Sequence, residues 1–176
     1  MSGTLTLALA GNPNAGKTSI FNALTGSRHH VGNWPGKTVS KVEGTFRHGD
    51  LVGRLVDLPG TYSLSALSPE EIIARDYLLT GEADAVIDVV DSTNLERNLY
   101  LTAQLLELGI PLVLALNVSD SARSKGIKID HERLSALLGR APIVETVGHR
   151  GQGLDQLLDA AIGLVGPEPA RLRLVA

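Results

Sequence analysis

Short apolar runs alternate with amphipathic stretches along almost the whole chain. Residues 5–10 form an apolar run that ends in glycine, which predicts a buried strand. The glycine-bearing stretch 11–18 reads as a loop, and 19–24 continues as a helix. Residues 28–36 are polar and carry Gly32, Pro35 and Gly36, so they read as a loop. Residues 38–47 and 51–57 alternate with period two around His48-Gly49-Asp50, the pattern of a hairpin. After a loop-like stretch 58–69, Ser68 is placed to cap a helix with Pro69 at its first position and Glu70 and Glu71 in its first turn. Strands follow over 83–91, 112–116 and 142–145. Between and after them, helical spacing appears over 95–108, over 131–138 behind the cap Asp130, and over 154–165.

Strands that alternate with helices predict an α/β fold of three layers, with a mostly parallel six-stranded sheet, one antiparallel strand from the hairpin, and helices on both faces. Ligands in such folds sit at the carboxyl ends of the strands. The chain is expected to form one domain over 1–165, followed by an exit linker over 166–176 that contains Pro167 and Pro169.

Composition changes this picture only by exclusion. With 43% hydrophobic residues, 176 residues suffice for a full core. A net charge of -3 does not suggest a polyanion-binding face, so no nucleic-acid partner is expected. The absence of cysteine excludes disulfides, thiolate metal sites and a cysteine nucleophile. Residues 1–10 carry no basic segment of a signal peptide, and the longest apolar runs, such as 110–116, are too short to span a bilayer; the chain is expected to be soluble.

The chemistry is concentrated after the strands. Gly11-Asn12-Pro13-Asn14-Ala15-Gly16-Lys17-Thr18 fits the phosphate-loop pattern G-x-x-x-x-G-K-[ST] between a strand and a helix, with Ser19 next in line. Its glycines let backbone N–H groups cradle phosphate oxygens, and the helix N-terminus adds a positive dipole end. Lys17 supplies a cation to the β- and γ-phosphates, and the Thr18 hydroxyl suits Mg²⁺. Asp57-Leu58-Pro59-Gly60 follows a strand; Asp57 can hold the magnesium through water, and Gly60 can bring its N–H to the γ-phosphate. Asn117-Val118-Ser119-Asp120 follows another strand. A carboxylate at Asp120 can accept from the guanine ring N–H and the exocyclic amine, a pair adenine lacks on that edge. Asn117 can bond the base and tie its loop to the phosphate loop. Alone, Asp120 would be read as the cap of the short helix after it; following a phosphate loop, in this order and after this strand, it reads as the guanine contact.

The order of these motifs resembles the GTPases of the TRAFAC class. Residues 11–19, Val31-Gly32-Asn33-Trp34-Pro35-Gly36, Asp57-Leu58-Pro59-Gly60-Thr61-Tyr62-Ser63-Leu64 and Asn117 together resemble the cytoplasmic G domain of the FeoB ferrous-iron transporter family, over about residues 4–165. The resemblance implies a Ras-like fold and slow GTP hydrolysis. Nucleotide contacts would come from Gly11, Asn12, Asn14, Ala15, Gly16, Lys17, Thr18, Ser19, Thr38, Asp57, Gly60, Asn117, Asp120, Thr146, Val147 and Gly148. Thr38 would be the switch I threonine, within a switch over about 28–40, and switch II would run over about 57–75. Catalysis would rest on Asn14, Lys17, Thr38 and Gly60. Mg²⁺ would be held by Thr18, Thr38 and, through water, Asp57. K⁺ would be held by Asn14 and the carbonyls of Gly32 and Trp34, where an arginine finger would otherwise place its charge. Thr61 stands where Ras-like proteins carry the water-orienting glutamine, so turnover on the order of 10⁻⁴–10⁻² per second is expected without potassium.

Two positions depart from the pattern. Val118 replaces the lysine that packs over the base, and Thr146-Val147-Gly148 replaces the usual Ser-Ala-Lys, with Gly148 expected to offer its N–H to guanine O6. The resemblance further implies a helical regulatory domain and a polytopic membrane domain, and with them a place on the cytoplasmic face of a bacterial inner membrane. A homo-oligomer stays open. So do two other readings: a nucleotide sensor whose hydrolysis is incidental, and another P-loop enzyme of the class.

His29 and His30 read as solvated loop histidines without a carboxylate nearby. Trp34 could be a packing anchor or a partner contact; in a polar loop it reads as partly exposed, with its backbone as the functional part. Asp88 and Asp91 read as a strand end and a loop. Glu70, Glu71, Glu96 and Arg97 read as solvated helix faces.

Overall fold

A computed structural model describes residues 4–26 and 28–166; the exit linker expected over 166–176 thus lies almost wholly outside the described residues. The strands are β1 (Thr6–Gly11), β2 (His29–Asn33), β3 (Ser40–His48), β4 (Leu51–Asp57), β5 (Ala85–Asp91), β6 (Leu112–Asn117) and β7 (Ile143–Glu145). The helices are α1 (Lys17–Thr25), α2 (Pro69–Leu79), α3 (Leu95–Glu107), α4 (Ser119–Ser124), α5 (His131–Leu137) and α6 (Leu154–Leu164).

The sheet runs β2-β3-β4-β1-β5-β6-β7. β1 pairs in parallel with β4 and β5, β5 with β6, and β6 with β7. β3 is antiparallel to both of its neighbours, so one strand runs against the rest, as the hairpin predicts. The sheet has seven strands where six were expected, because residues 29–33 form an edge strand and not a loop. Their composition gives no strand signal, and all five residues are exposed. The ladder offered by β3 orders them, with Val31 opposite Val42 and Gly32 opposite Lys41.

The central strands are buried on both faces, as a parallel sheet requires. One face of the core packs Leu7, Leu9 and Ile87 against Phe21 of α1 and Leu157 of α6. The other packs Ala8, Val56 and Val86 against Ile73 and Tyr77 of α2 and Leu101 and Leu105 of α3. Alternation along β1 alone sends Leu7 and Leu9 one way and Ala8 and Ala10 the other, which fixes the register.

Trp34 departs from the sequence reading. It is buried in the second core face, edge-on to Tyr77 with ring centroids 5.4 Å apart, and the Lys41 ammonium lies 4.9 Å from its ring centroid. Its carbonyl accepts from the Lys37 N–H at 2.9 Å and its N–H donates to Val39 at 3.0 Å, which closes the turn after β2. The tryptophan is therefore an anchor that presses this turn onto α2.

Candidate functional site

The loop after β1 and the start of α1 line a cleft of about 490 Å³, with Asn12, Pro13, Asn14, Gly16, Lys17, Thr18, Ser19 and Gly60 in its walls. Asn14 takes a left-handed conformation at φ 66°, which asparagine tolerates. Gly16 does so at φ 96° directly before α1, and no side chain caps that helix. The first-turn N–H groups are thus left for a ligand. Asn12 is buried, and its carbonyl accepts from the Ala15 N–H at 3.1 Å, which closes the loop on itself.

Lys17 reaches across the cleft floor. Its ammonium donates to Asp57 at 2.9 Å and to the Leu58 carbonyl at 2.8 Å. The chain after β4 is fastened to β1, since the Leu58 N–H donates to Leu9 and the Thr61 N–H to Gly11, at 3.0 and 3.2 Å. Gly60 passes so close to the phosphate loop that an added Cβ would lie 3.2 Å from the Pro13 backbone. The structure therefore brings Lys17, Asp57 and Gly60 together as the motifs predict.

Asn117, at the end of β6, connects the two halves of the site. Its amide donates to the Ala15 carbonyl at 3.0 Å, and its oxygen accepts from the Gly148 N–H at 2.9 Å and the Thr146 hydroxyl at 3.1 Å. The Gly148 N–H is thus engaged by Asn117, whereas the resemblance implies guanine O6 as its partner. Val147 is buried and bonds Gln152, so it shapes the turn through its backbone. Gly16 must be glycine for the same frame: a Cβ there would lie 2.0 Å from the Asn117 amide nitrogen, on a backbone that side chains rarely adopt. A Gly16→Ala substitution is expected to lower stability by about 2 kcal/mol or more, by breaking buried hydrogen bonds and straining the backbone. Urea denaturation of parent and variant measures this directly.

Val118 follows at φ 50°, an uncommon conformation for a β-branched residue. This kink turns the chain from β6 into α4, whose first turn carries Asp120. One Asp120 carboxylate oxygen is buried with no partner among the described residues, and the other lies 4.0 Å from Arg150. The cap at this helix is Val118, so the capping role that sequence left open for Asp120 is not the one it plays.

The switch segments are less gathered than the resemblance implies. Gly32 is held in the β2–β3 ladder and Trp34 in its turn, while Thr38 is exposed two residues before β3. In the segment expected to form switch II, the sequence-predicted cap is present: the Glu71 N–H donates to Ser68 at 3.2 Å, with Pro69 opening α2. Glu71 does more than face solvent. Its carboxylate accepts from the Leu67 N–H at 2.8 Å and the Ser63 hydroxyl at 2.9 Å, and these bonds, that from Leu67 foremost, hold its pKa below the usual range. Arg97 also has a partner, stacking 4.3 Å over the Tyr62 ring, and Gln104 of α3 accepts from the Leu64 N–H. His30 lies 3.8 Å from Glu43, a carboxylate that strand pairing brings close and that Arg54 engages. Asp91 accepts from the Thr93 N–H at a short 3₁₀ turn, whereas Asp88 is fully buried mid-strand.

The family described as "Ferrous iron transport protein B" matches residues 5–161. The Fe(2+) transporter FeoB of Escherichia coli K12 is 55% identical over 157 residues, which cover 87% of this chain and 20% of that protein. The chain thus spans about a fifth of the length of such curated relatives. Among solved structures, the GDP form of the T. maritima FeoB cytosolic domain superimposes with a TM-score of 0.89 at 46% identity, covering 96% of this chain and 66% of that one. A GDP-bound mutant of S. thermophilus NFeoB gives 0.86 at 49% identity, covering 92% and 63%. The T. maritima FeoB G domain alone gives 0.84 at 47% identity, covering 92% and 99%.

Proposed function

The chain belongs to the ferrous iron transport protein B family, and from that premise we propose that it is a guanine-nucleotide switch domain that hydrolyses GTP to GDP and phosphate and regulates ferrous iron uptake through a membrane domain outside this chain. The observation that carries the reading is the frame built by Asn117. It fixes the phosphate loop through Ala15 and the 146–148 turn through Thr146 and Gly148, and the buried Asp120 oxygen lies three residues further on. A phosphate cradle and a carboxylate that can accept the guanine amine pair are thereby held in one unit. A relative's structure with GDP supports the same ligand class.

Within this reading the first-turn N–H groups of α1 and Lys17 hold the phosphates. Lys17 would exchange its contacts to Asp57 and Leu58 for phosphate oxygens. Mg²⁺ asks for few protein oxygens beside phosphate and water, which fits Thr18 at the start of α1 and Asp57, whose second oxygen is not used by Lys17. When bound, that ion would neutralise charge developing on the phosphates. Thr38, exposed in the turn after β2, would join it through a movement of that turn. Thr61 is buried with its N–H on Gly11, so it is poorly placed to orient water, and slow hydrolysis follows.

Residues 1–165 would form this domain. The helical regulatory and membrane domains of the full-length protein would be its partners and would place it at the cytoplasmic face of the membrane. Among the described residues no helix is long and apolar enough to cross a membrane.

Potassium is the finer part of the proposal. Asn14 lines the cleft beside Lys17 and is exposed, so its side-chain oxygen can serve a monovalent cation there. Phosphate release with GTP is expected to run several-fold faster in KCl than in NaCl at matched ionic strength. Asn14→Ala should bind nucleotide and lose the potassium effect. Equal rates in both salts would favour a nucleotide sensor with incidental hydrolysis, and turnover of ATP would refute the role of Asp120.

A further inference from the structure

Glu145 closes β7, directly before Thr146, and its side chain reaches two helices. Its carboxylate accepts from Arg123 of α4 at 2.7 Å and lies 3.1 Å from the ring nitrogen of His131 at the start of α5. Arg123 also donates to the Ser119 hydroxyl at 3.3 Å. That hydroxyl, buried, donates to the Thr146 carbonyl at 3.2 Å, and the Ser119 N–H donates to the same carbonyl at 3.3 Å. The contacts close a loop from β7 through α4 back to the turn after β7.

The helix in this loop needs such a tie. α4 has six residues, begins at a left-handed valine and has no side-chain cap. A helix this short has little stability of its own. Asp120 sits in its first turn, and the Asn117-bound turn at 146–148 sits across from it. The direction of the Asp120 carboxylate therefore depends on what fastens α4 to the 146–148 turn. One guanidinium nitrogen of Arg123 donates to both the Glu145 carboxylate and the Ser119 hydroxyl, so the charge-assisted bond to Glu145 holds Arg123 where it also reaches the first turn of α4.

We infer that Glu145 is a positioning residue for base recognition: through Arg123 it holds the helix bearing Asp120 against the 146–148 turn, and so sets the grip on guanine and the discrimination between purine bases. The inference rests on the guanine reading of Asp120. The Glu145 carboxylate is engaged by α4 and α5, away from the hydrogen bonds of the phosphate loop, so its effect is expected on base binding and not on the phosphate chemistry.

The test uses the 176-residue chain and fluorescent GDP. Glu145→Arg places like charges at Arg123 and is expected to speed GDP dissociation about five- to tenfold. It should also raise KM for GTP and shrink the preference for GTP over ITP, which lacks the exocyclic amine, while kcat at saturating GTP stays within about twofold. The double variant Glu145→Arg with Arg123→Glu restores the pair and should recover both dissociation and base preference. Should Glu145→Arg fail to fold, Glu145→Gln, which keeps the shape and removes the charge, gives the same readings with smaller amplitude. Unchanged dissociation in the single variants, or a double variant no better than the singles, would overturn the inference. Failure of the parent chain to bind GDP at all would instead overturn the guanine reading beneath it.

Discussion

Asp120→Asn should trade guanine for xanthine nucleotides. The parent carboxylate presents two acceptors, and guanine answers with two donors, its ring N–H and its exocyclic amine. Asparagine presents one acceptor and one donor. Xanthine carries a carbonyl where guanine carries the amine, so it matches the amide and mismatches the carboxylate. One Asp120 oxygen is buried without a partner among the described residues, so a base that leaves it unpaired incurs the desolvation cost of a charged acceptor. A site built to bond a substrate group rejects analogues lacking it by as much as about 10⁴-fold. Arg150 stands 4.0 Å from the second oxygen and is well exposed, so it can screen part of the mismatch. Allowing for that, the ratio of GDP to XDP affinity is expected to invert by at least about a hundredfold. Competition of XDP and GDP for one fluorescent analogue measures the ratio in parent and variant. A variant that loses both nucleotides equally would show that Asp120 holds the loop together and does not read the base.

How much of this was legible in the sequence follows from how local each feature is. The phosphate loop needs contiguous glycines, a lysine and a hydroxyl between a strand and a helix, so its chemistry is written in one segment. The Ser68–Pro69–Glu71 cap is local for the same reason. What stayed illegible was set by partners distant in sequence. Residues 29–33 read as a loop because their polar, exposed side chains show no period, and their strand exists through β3. Pairing with β3 also delivers Glu43 to His30. Trp34 is flanked by residues typical of an exposed turn, yet α2, forty residues on, supplies the surface that buries it. The resemblance gives the Gly148 N–H to the base, and no local pattern shows its protein partner; Asn117 reaches it across 31 residues. Glu71 and Arg97 read as solvated because helical periodicity cannot show a loop folding back over a helix end.

Asp88 leads to the other large effect, on the pH dependence of stability. It lies in the middle of β5, wholly buried, with one oxygen accepting from Thr102 of α3 and the other without a partner among the described residues. Burial pushes its pKa from 3.8 up to about 7, against the opposing pull of the Thr102 hydroxyl. The folded chain therefore holds this proton over a range in which the unfolded chain has released it. Stability conferred by the neutral carboxyl is complete below pH 3.8 and is lost as pH rises toward 7, by up to about 1.4 kcal/mol per pH unit. Asp88→Asn has no proton to lose. It can still accept from Thr102, and its amide replaces an oxygen already unpaired. Relative to the parent, the variant should gain about 2–3 kcal/mol between pH 5 and pH 8, with the change levelling off above 7. Urea denaturation of both chains across that range tests this, and parallel pH profiles would refute it. The consequence reaches the switch. Thr102 sits on the helix whose Gln104 holds Leu64 and whose Arg97 stacks on Tyr62. Ionising Asp88 is expected to weaken the seat of α3 on the sheet, and α3 is the surface on which Tyr62 and Leu64 of the proposed switch II rest. Asp88→Asn should accordingly slow amide exchange at Leu64 at pH 8 and leave it unchanged at pH 5.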